Sequence, residues 1–284
     1  MKQQKSKQAF SLVELSIVII IMGLLVASVT VGRDLIQAAS LRATISQLGN
    51  YDAAVNTFEL KYNGFPGDLD NASRRGLTTS KTSCAAGYVA TCHNGDGDGY
   101  LEDANSFATN VSGDAELITG EGGWFWEHIY KAGFADAAYS GDQDLAVIGT
   151  EFPKAKSGGG ISVYGSGNIN YYHIGAANSV GTGARFQNIF EPEDAFSIDN
   201  KLDDGLPFSG FVIATSSDCA SNPDQFSCVD GLITTADNGF ETSSVATTHT
   251  KCVIDIDGGA VYSAEDEYDF ETTAKICQLR VKIK

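Results

Sequence analysis

The chain has 284 residues, 43% of them hydrophobic and 19% charged, which supplies a real core and excludes disordered, collagenous and coiled-coil compositions. Acidic residues outnumber basic ones 36 to 19, for a net charge of −17. A surface that acidic repels phosphate and argues against nucleic-acid binding by the bare subunit. Residues 1–9, MKQQKSKQA, carry three lysines and no acid, and from Leu15 to Val31 the chain reads LSIVIIIMGLLVASVTV, 17 residues without a charge. As a helix this run spans about 26 Å, just short of a ~30 Å hydrocarbon core. Lysines ahead of it predict a cytoplasmic start and an exported remainder. No small-residue cleavage site follows, so the pattern is that of a single anchor with its body outside.

Glu14 interrupts that simple anchor, standing at the head of the apolar run in FSLVELSIVIII. An ionised carboxylate beside hydrocarbon is costly and marks a function with a definable partner. Taken together, KQAFSLVELSIVIIIMGLLVA closely resembles the N-terminus of type IV pilins and of type II secretion pseudopilins, over roughly the first 60 residues. The shared features are a short basic leader, a phenylalanine opening the mature chain, a glutamate at its fifth place and an apolar helix. The resemblance implies that a prepilin peptidase cuts between Ala9 and Phe10 and methylates the new Phe10 amine. It implies further that Glu14 of one subunit neutralises the Phe10 amine of the next, setting the axial register of a helical filament. Two positions depart from the family: Ala9 stands where glycine is usual, and Val31 where many members have a helix-kinking proline. Gly23, Gly32 and their β-branched neighbours would then supply any local melting of the helix.

Beyond the apolar run, Leu41, Ile45, Leu48, Tyr51, Val55, Phe58 and Tyr62 recur at spacings of three and four, the stripe of an amphipathic helix. The spacing predicts one helix from Phe10 to Tyr62, about 80 Å long, ended by Asn63-Gly64 and Pro66-Gly67-Asp68. Residues 65–135 read as a Gly- and Asp-rich connection holding one short aromatic helix around Glu121–Tyr130, closed at Gly133. Trp124, His128 and Ile129 are expected on one face of it, His128 as a structural histidine. Residues 161–164 and 169–174 alternate about Gly165-Ser-Gly167-Asn and predict a hairpin. A further helix is expected from Pro192 to Asp203, capped by Gly205. Residues 208–215 read as a central strand, and 251–261 and 276–284 as closing strands. The whole is an α+β protein: leader 1–9, long helix 10–62, and a globular head 63–284 with an antiparallel sheet.

The six cysteines, Cys84, Cys92, Cys219, Cys228, Cys252 and Cys277, all follow the apolar run, on the side where disulfides form. Sequence leaves the connectivity open, but chain order favours 84–92, 219–228 and 252–277, because short loops close with least entropy loss. The strongest site motif is Asn94-Gly-Asp96-Gly-Asp98-Gly-Tyr-Leu-Glu102-Asp103, which matches the first half of an EF-hand loop. Its twelfth position is Asn105, so Glu102 or Asp103 would complete a calcium site of Asn94, Asp96, Asp98, Glu102 and Asp103; the competing reading is a plain Asx/Gly turn. Two weaker acidic clusters, Asp199/Asp203/Asp204 and Asp255/Asp257 with 265–267, read as solvated faces or helix ends. No nucleophile elbow, zincin motif or P-loop occurs, and the expectation is that the chain is not an enzyme.

The expected role is therefore a homo-oligomeric filament subunit, with the prepilin peptidase and inner-membrane assembly machinery as partners. It would reside in the inner membrane with its head in the periplasm before assembly, then in an extracellular pilus serving adhesion or motility. A periplasmic pseudopilin of a secretion system, major or minor, is the alternative within the same architecture. A monomeric membrane-anchored binding protein is the alternative outside it.

Overall fold

The computed structural model describes residues 12–78, 94–101, 120–140, 147–166, 169–179, 184–207, 209–215, 252–254, 267–268, 270, 275 and 277–284. Helix α1 (Leu12–Tyr62) runs unbroken through Gly23, Gly32 and Gly49 for 51 residues. The chain leaves it at Asn63, whose φ of 52° is the left-handed geometry that asparagine tolerates at a helix end. In its C-terminal half Leu41, Thr44, Leu48, Ala54, Val55 and Phe58 are buried, with Ile45, Tyr51 and Tyr62 half-buried beside them. The expected stripe is therefore the seam that meets the head.

Helix α2 (Gly120–Lys131) lies against it. Every residue from Glu121 to Ile129 is buried, so this helix is enclosed on all sides rather than on one face. The aromatic content explains that position: Trp126 lies 4.7 Å from Tyr51 edge-on, 4.8 Å from Phe125 and 6.2 Å from Tyr172 in a stacked pair. Such ring clusters contribute both buried area and favourable edge-to-face geometry. His128 is structural, as expected: its Nδ1 accepts the Gly67 amide at 2.9 Å and its ring stacks on Phe58.

The sheet is antiparallel. Strands β1 (Gly160–Ser166) and β2 (Ile169–Ser179) form the expected hairpin, in register from Gly160 opposite Gly175 to Ser166 opposite Ile169. Strand β3 (Ala184–Gln187) pairs with the end of β2, helix α3 (Pro192–Leu202) follows, and β4 (Val212–Thr215) comes next. A small separate sheet joins β5 (Val253–Ile254) to β6 (Glu267–Tyr268), and β7 (Gln278–Lys282) ends the chain. The order is β1-β2-β7-β4. Among the described residues β4 pairs only with β7, and the C-terminal strand lies between β2 and β4. Val212 and Ala214 are buried, with α3 packed against β4, and burial by a helix is indistinguishable in sequence from burial between strands.

One sheet face carries Ile161, Val163, Tyr172, Ile174, Val212, Ala214, Leu279 and Val281 into the core under α1 and α2. On the other face Ser162, His173 and Arg280 stand in one cross-strand row and are buried as well. Arg280 lies over the Tyr171 ring, and Gln278 bridges the His173 Nε2 (2.7 Å) and the Asn188 Oδ1 (3.0 Å). Cys252 and Cys277 form a disulfide that ties the small sheet to β7. Cys84, Cys92, Cys219 and Cys228 lie outside the described residues.

Candidate functional site

Among the described residues, the head buries none of the apolar window in the N-terminal half of α1. From Leu12 to Leu35 its residues are exposed, Gly32 partly, and the apolar window has none of its surface buried inside the protein. The helix is long and apolar enough to cross a membrane. Its hydroxyls are turned inward: Ser16, Ser28 and Thr30 donate to the carbonyls of Val13, Leu24 and Ala27 at 2.8, 2.8 and 2.9 Å. That arrangement leaves these three hydroxyls with no need of water, as an apolar surrounding demands. Glu14 sits in the first turn, where the positive end of the helix dipole favours a carboxylate. Ala9 and Phe10 lie outside the described residues.

The glycine–aspartate loop at residues 94–101 is built around a residue that the linear motif does not contain. Asp68, in the turn after α1, is buried; its Oδ1 accepts the Gly97 amide at 2.7 Å and its Oδ2 the Gly99 amide at 2.6 Å. Both glycines have positive φ, 84° and 94°, which lets alternate amides converge on one carboxylate. Asp96 and Asp98 each close an Asx turn, accepting the amides of Asp98 (3.1 Å) and Tyr100 (2.8 Å). The Asp96 amide donates to Glu121 at the start of α2, and Asn94 takes the Ser73 amide at 2.8 Å. Leu101 is fixed by Asn170 of β2. One carboxylate oxygen from each of Asp68, Asp96 and Asp98 lies within 4.8 Å of the others. Burial raises the Asp68 pKa, the Gly99 and Gly97 amides oppose that, and the Asp96 charge adds to it. Glu102 and Asp103 lie outside the described residues. The signal that could have found Asp68 is its own Pro66-Gly67-Asp68 turn, a second Gly-Asp pair read only as a helix stop.

The second acidic cluster closes α3. Asp199 is fully buried, Asp203 half-buried and Asp204 exposed, again with carboxylate oxygens within 4.8 Å. Tyr268 donates to the Asp199 Oδ2 at 2.8 Å, the Phe211 and Val212 amides donate to the Asp203 Oδ2, and Asp204 accepts the Leu206 amide and the Ser209 hydroxyl. Burial, with the Asp204 and Asp203 charges adding, pushes the Asp199 pKa up to about 7. The Ser209 hydroxyl holds Asp204 below its ordinary value. The solvated face or helix end expected here holds for Asp204 and fails for Asp199, which is fully buried and bonded to Tyr268 of the small sheet. Asp255, Asp257 and residues 265–266 lie outside the described residues. Comparison with protein-family models, with curated proteins and with solved structures finds no match for the chain.

Proposed function

We propose that the protein is a subunit of a type IV pilin-like filament, held in the inner membrane before assembly and polymerising through the N-terminal half of α1. The observation that carries this reading is the apolar rod itself: twenty consecutive exposed residues, Leu12 to Val31, most of them apolar, on a helix continuous with the head and bearing Glu14 in its first turn. A water-soluble monomer does not tolerate such a surface, whereas a membrane before assembly and neighbouring helices after it cover it equally well. In this reading a prepilin peptidase frees the Phe10 amine, and Glu14 of the adjacent subunit neutralises it, since either charge alone in an apolar filament core is strongly disfavoured. A periplasmic pseudopilus uses the same contacts, and the destination separates the two. The head's calcium is proposed at the Asp96–Asp98 loop with Asp68 as a further ligand, supported by the three converging carboxylates.

The test is intact mass and N-terminal sequencing of material sheared from the cell surface. An N-terminus at Phe10, heavier by one methyl, is the expected result. Recovery only from membranes, with the leader intact, overturns the filament reading and leaves a plain anchored binding protein.

A further inference from the structure

The turn between α3 and β4 holds a carboxylate group that filament assembly does not use. Asp199 stands in the last turn of α3, Asp203 follows that helix and Asp204 comes next, their oxygens converging within 4.8 Å. A cluster of acids alone says little; the informative atom is the Asp199 Oδ1, which is buried and accepts no hydrogen bond of standard geometry, with the Gly205 amide near the carboxylate and Oδ2 taken by Tyr268. A buried, partly charged oxygen without a well-placed donor is costly, and two further carboxylates beside it make it more so. The loop nevertheless enforces the convergence. Gly210, at φ 69°, lies so near Asp203 that any β-carbon there would fall inside its carboxylate. The Phe211 and Val212 amides hold the Asp203 Oδ2, and Ser209 and the Leu206 amide hold Asp204. The carbonyl end of α3 adds further negative potential at the same place.

We propose that Asp199, Asp203 and Asp204 bind a hard divalent cation of the calcium type, with the Asp199 Oδ1 as the buried ligand. Three carboxylates with no nitrogen or sulfur donor select calcium-like ions over zinc or copper, and the exposed side at Asp204 leaves room for water ligands. The ion would tie the end of α3 and the start of β4 to Tyr268 of the small sheet. A proton on Asp199 is the competing way to relieve the same repulsion, and it predicts no response to metal.

The test uses the full-length protein in detergent micelles, stripped with chelator and titrated with Ca²⁺ at pH 7.5 by calorimetry and thermal unfolding. Wild type is compared with Asp199→Asn, Asp203→Asn and Asp98→Asn. Asp199→Asn and Asp203→Asn are expected to weaken one Ca²⁺ event by about tenfold or more and to lose the associated rise in melting temperature. Asp98→Asn should retain that event. Without Ca²⁺, Asp199→Asn should melt no lower than wild type, because the amide oxygen still accepts from Tyr268 and the repulsion is gone. The proposal is overturned if wild type shows no event up to about 10 mM Ca²⁺, above the ~1 mM range of extracellular calcium modules. It is equally overturned if Asp199→Asn binds like wild type, or if the only event is lost in Asp98→Asn. Should Asp199→Asn fail to fold by circular dichroism, Asp204→Asn on the exposed side carries the same comparison.

Discussion

Gly95 presses against Asp68 so closely that a β-carbon built on it would stand 2.3 Å from both the Cα and the carbonyl carbon of Asp68. These are backbone atoms at the centre of the glycine–aspartate loop, and they cannot yield as a flexible side chain would. Gly95→Ala is therefore expected to destabilise the head by about 1–3 kcal/mol, the range for overpacking. Gly49→Ala is the control: it lies on the exposed surface of α1 with nothing within 4 Å and should be neutral or stabilising by up to ~1 kcal/mol. Urea unfolding of both variants decides, and equal effects would refute the steric account.

Asp68 holds the loop from the other side. Asp68→Ala leaves the Gly97 and Gly99 amides without their acceptor and should cost on the order of 2–4 kcal/mol, whereas Asp68→Asn keeps one oxygen and should cost less. The order of the two midpoints in urea is the measurement. An alanine variant as stable as wild type would show that the carboxylate does not organise the loop.

His173 predicts a pH dependence. Burial, with Arg280 adding, holds its pKa down to about 4, against about 6.5 for an unfolded histidine. Between those values the unfolded chain binds a proton that the folded one does not, so this residue's contribution to stability is intact above about 6.5 and is lost as pH falls toward 4. The loss is on the order of 3 kcal/mol. The unfolding free energies of wild type and His173→Gln, compared at pH 7 and pH 4.5, should converge or cross by most of that amount. A difference independent of pH would mean that His173 is not the titrating group.

Glu14→Ala tests the proposed assembly contact. The variant should remain in the membrane, because it makes the helix more apolar, and surface filaments should fall sharply. Abundant filaments of normal length, counted by electron microscopy after shearing, would remove the Glu14–Phe10 pairing from the proposal.

Long-range placement is where sequence and structure part. Residues 208–215 read as a central strand, yet among the described strands it is β7 that lies between two others, β2 and β4, and its pairing with β2 spans over a hundred residues and leaves no local mark. Helix α2 carries polar Glu121, Glu127 and His128, yet lies buried all round because α1, the Gly67 turn and the sheet supply partners from three directions.

Sequence alone determined the features with a local cause. The basic first nine residues, the uncharged run and Glu14 follow from composition, the α1 stripe and its stop at Asn63 from helical periodicity and the left-handed tolerance of asparagine, and the β1–β2 hairpin from alternation about a glycine turn. Only the tertiary structure decided that Asp68 joins Asp96 and Asp98, that Asp199 is buried beneath Tyr268, and that His173 loses its solvent. In each case the decisive contact crosses about 30 residues or more, and both desolvation and charge repulsion depend on what the fold brings near rather than on neighbours in the chain.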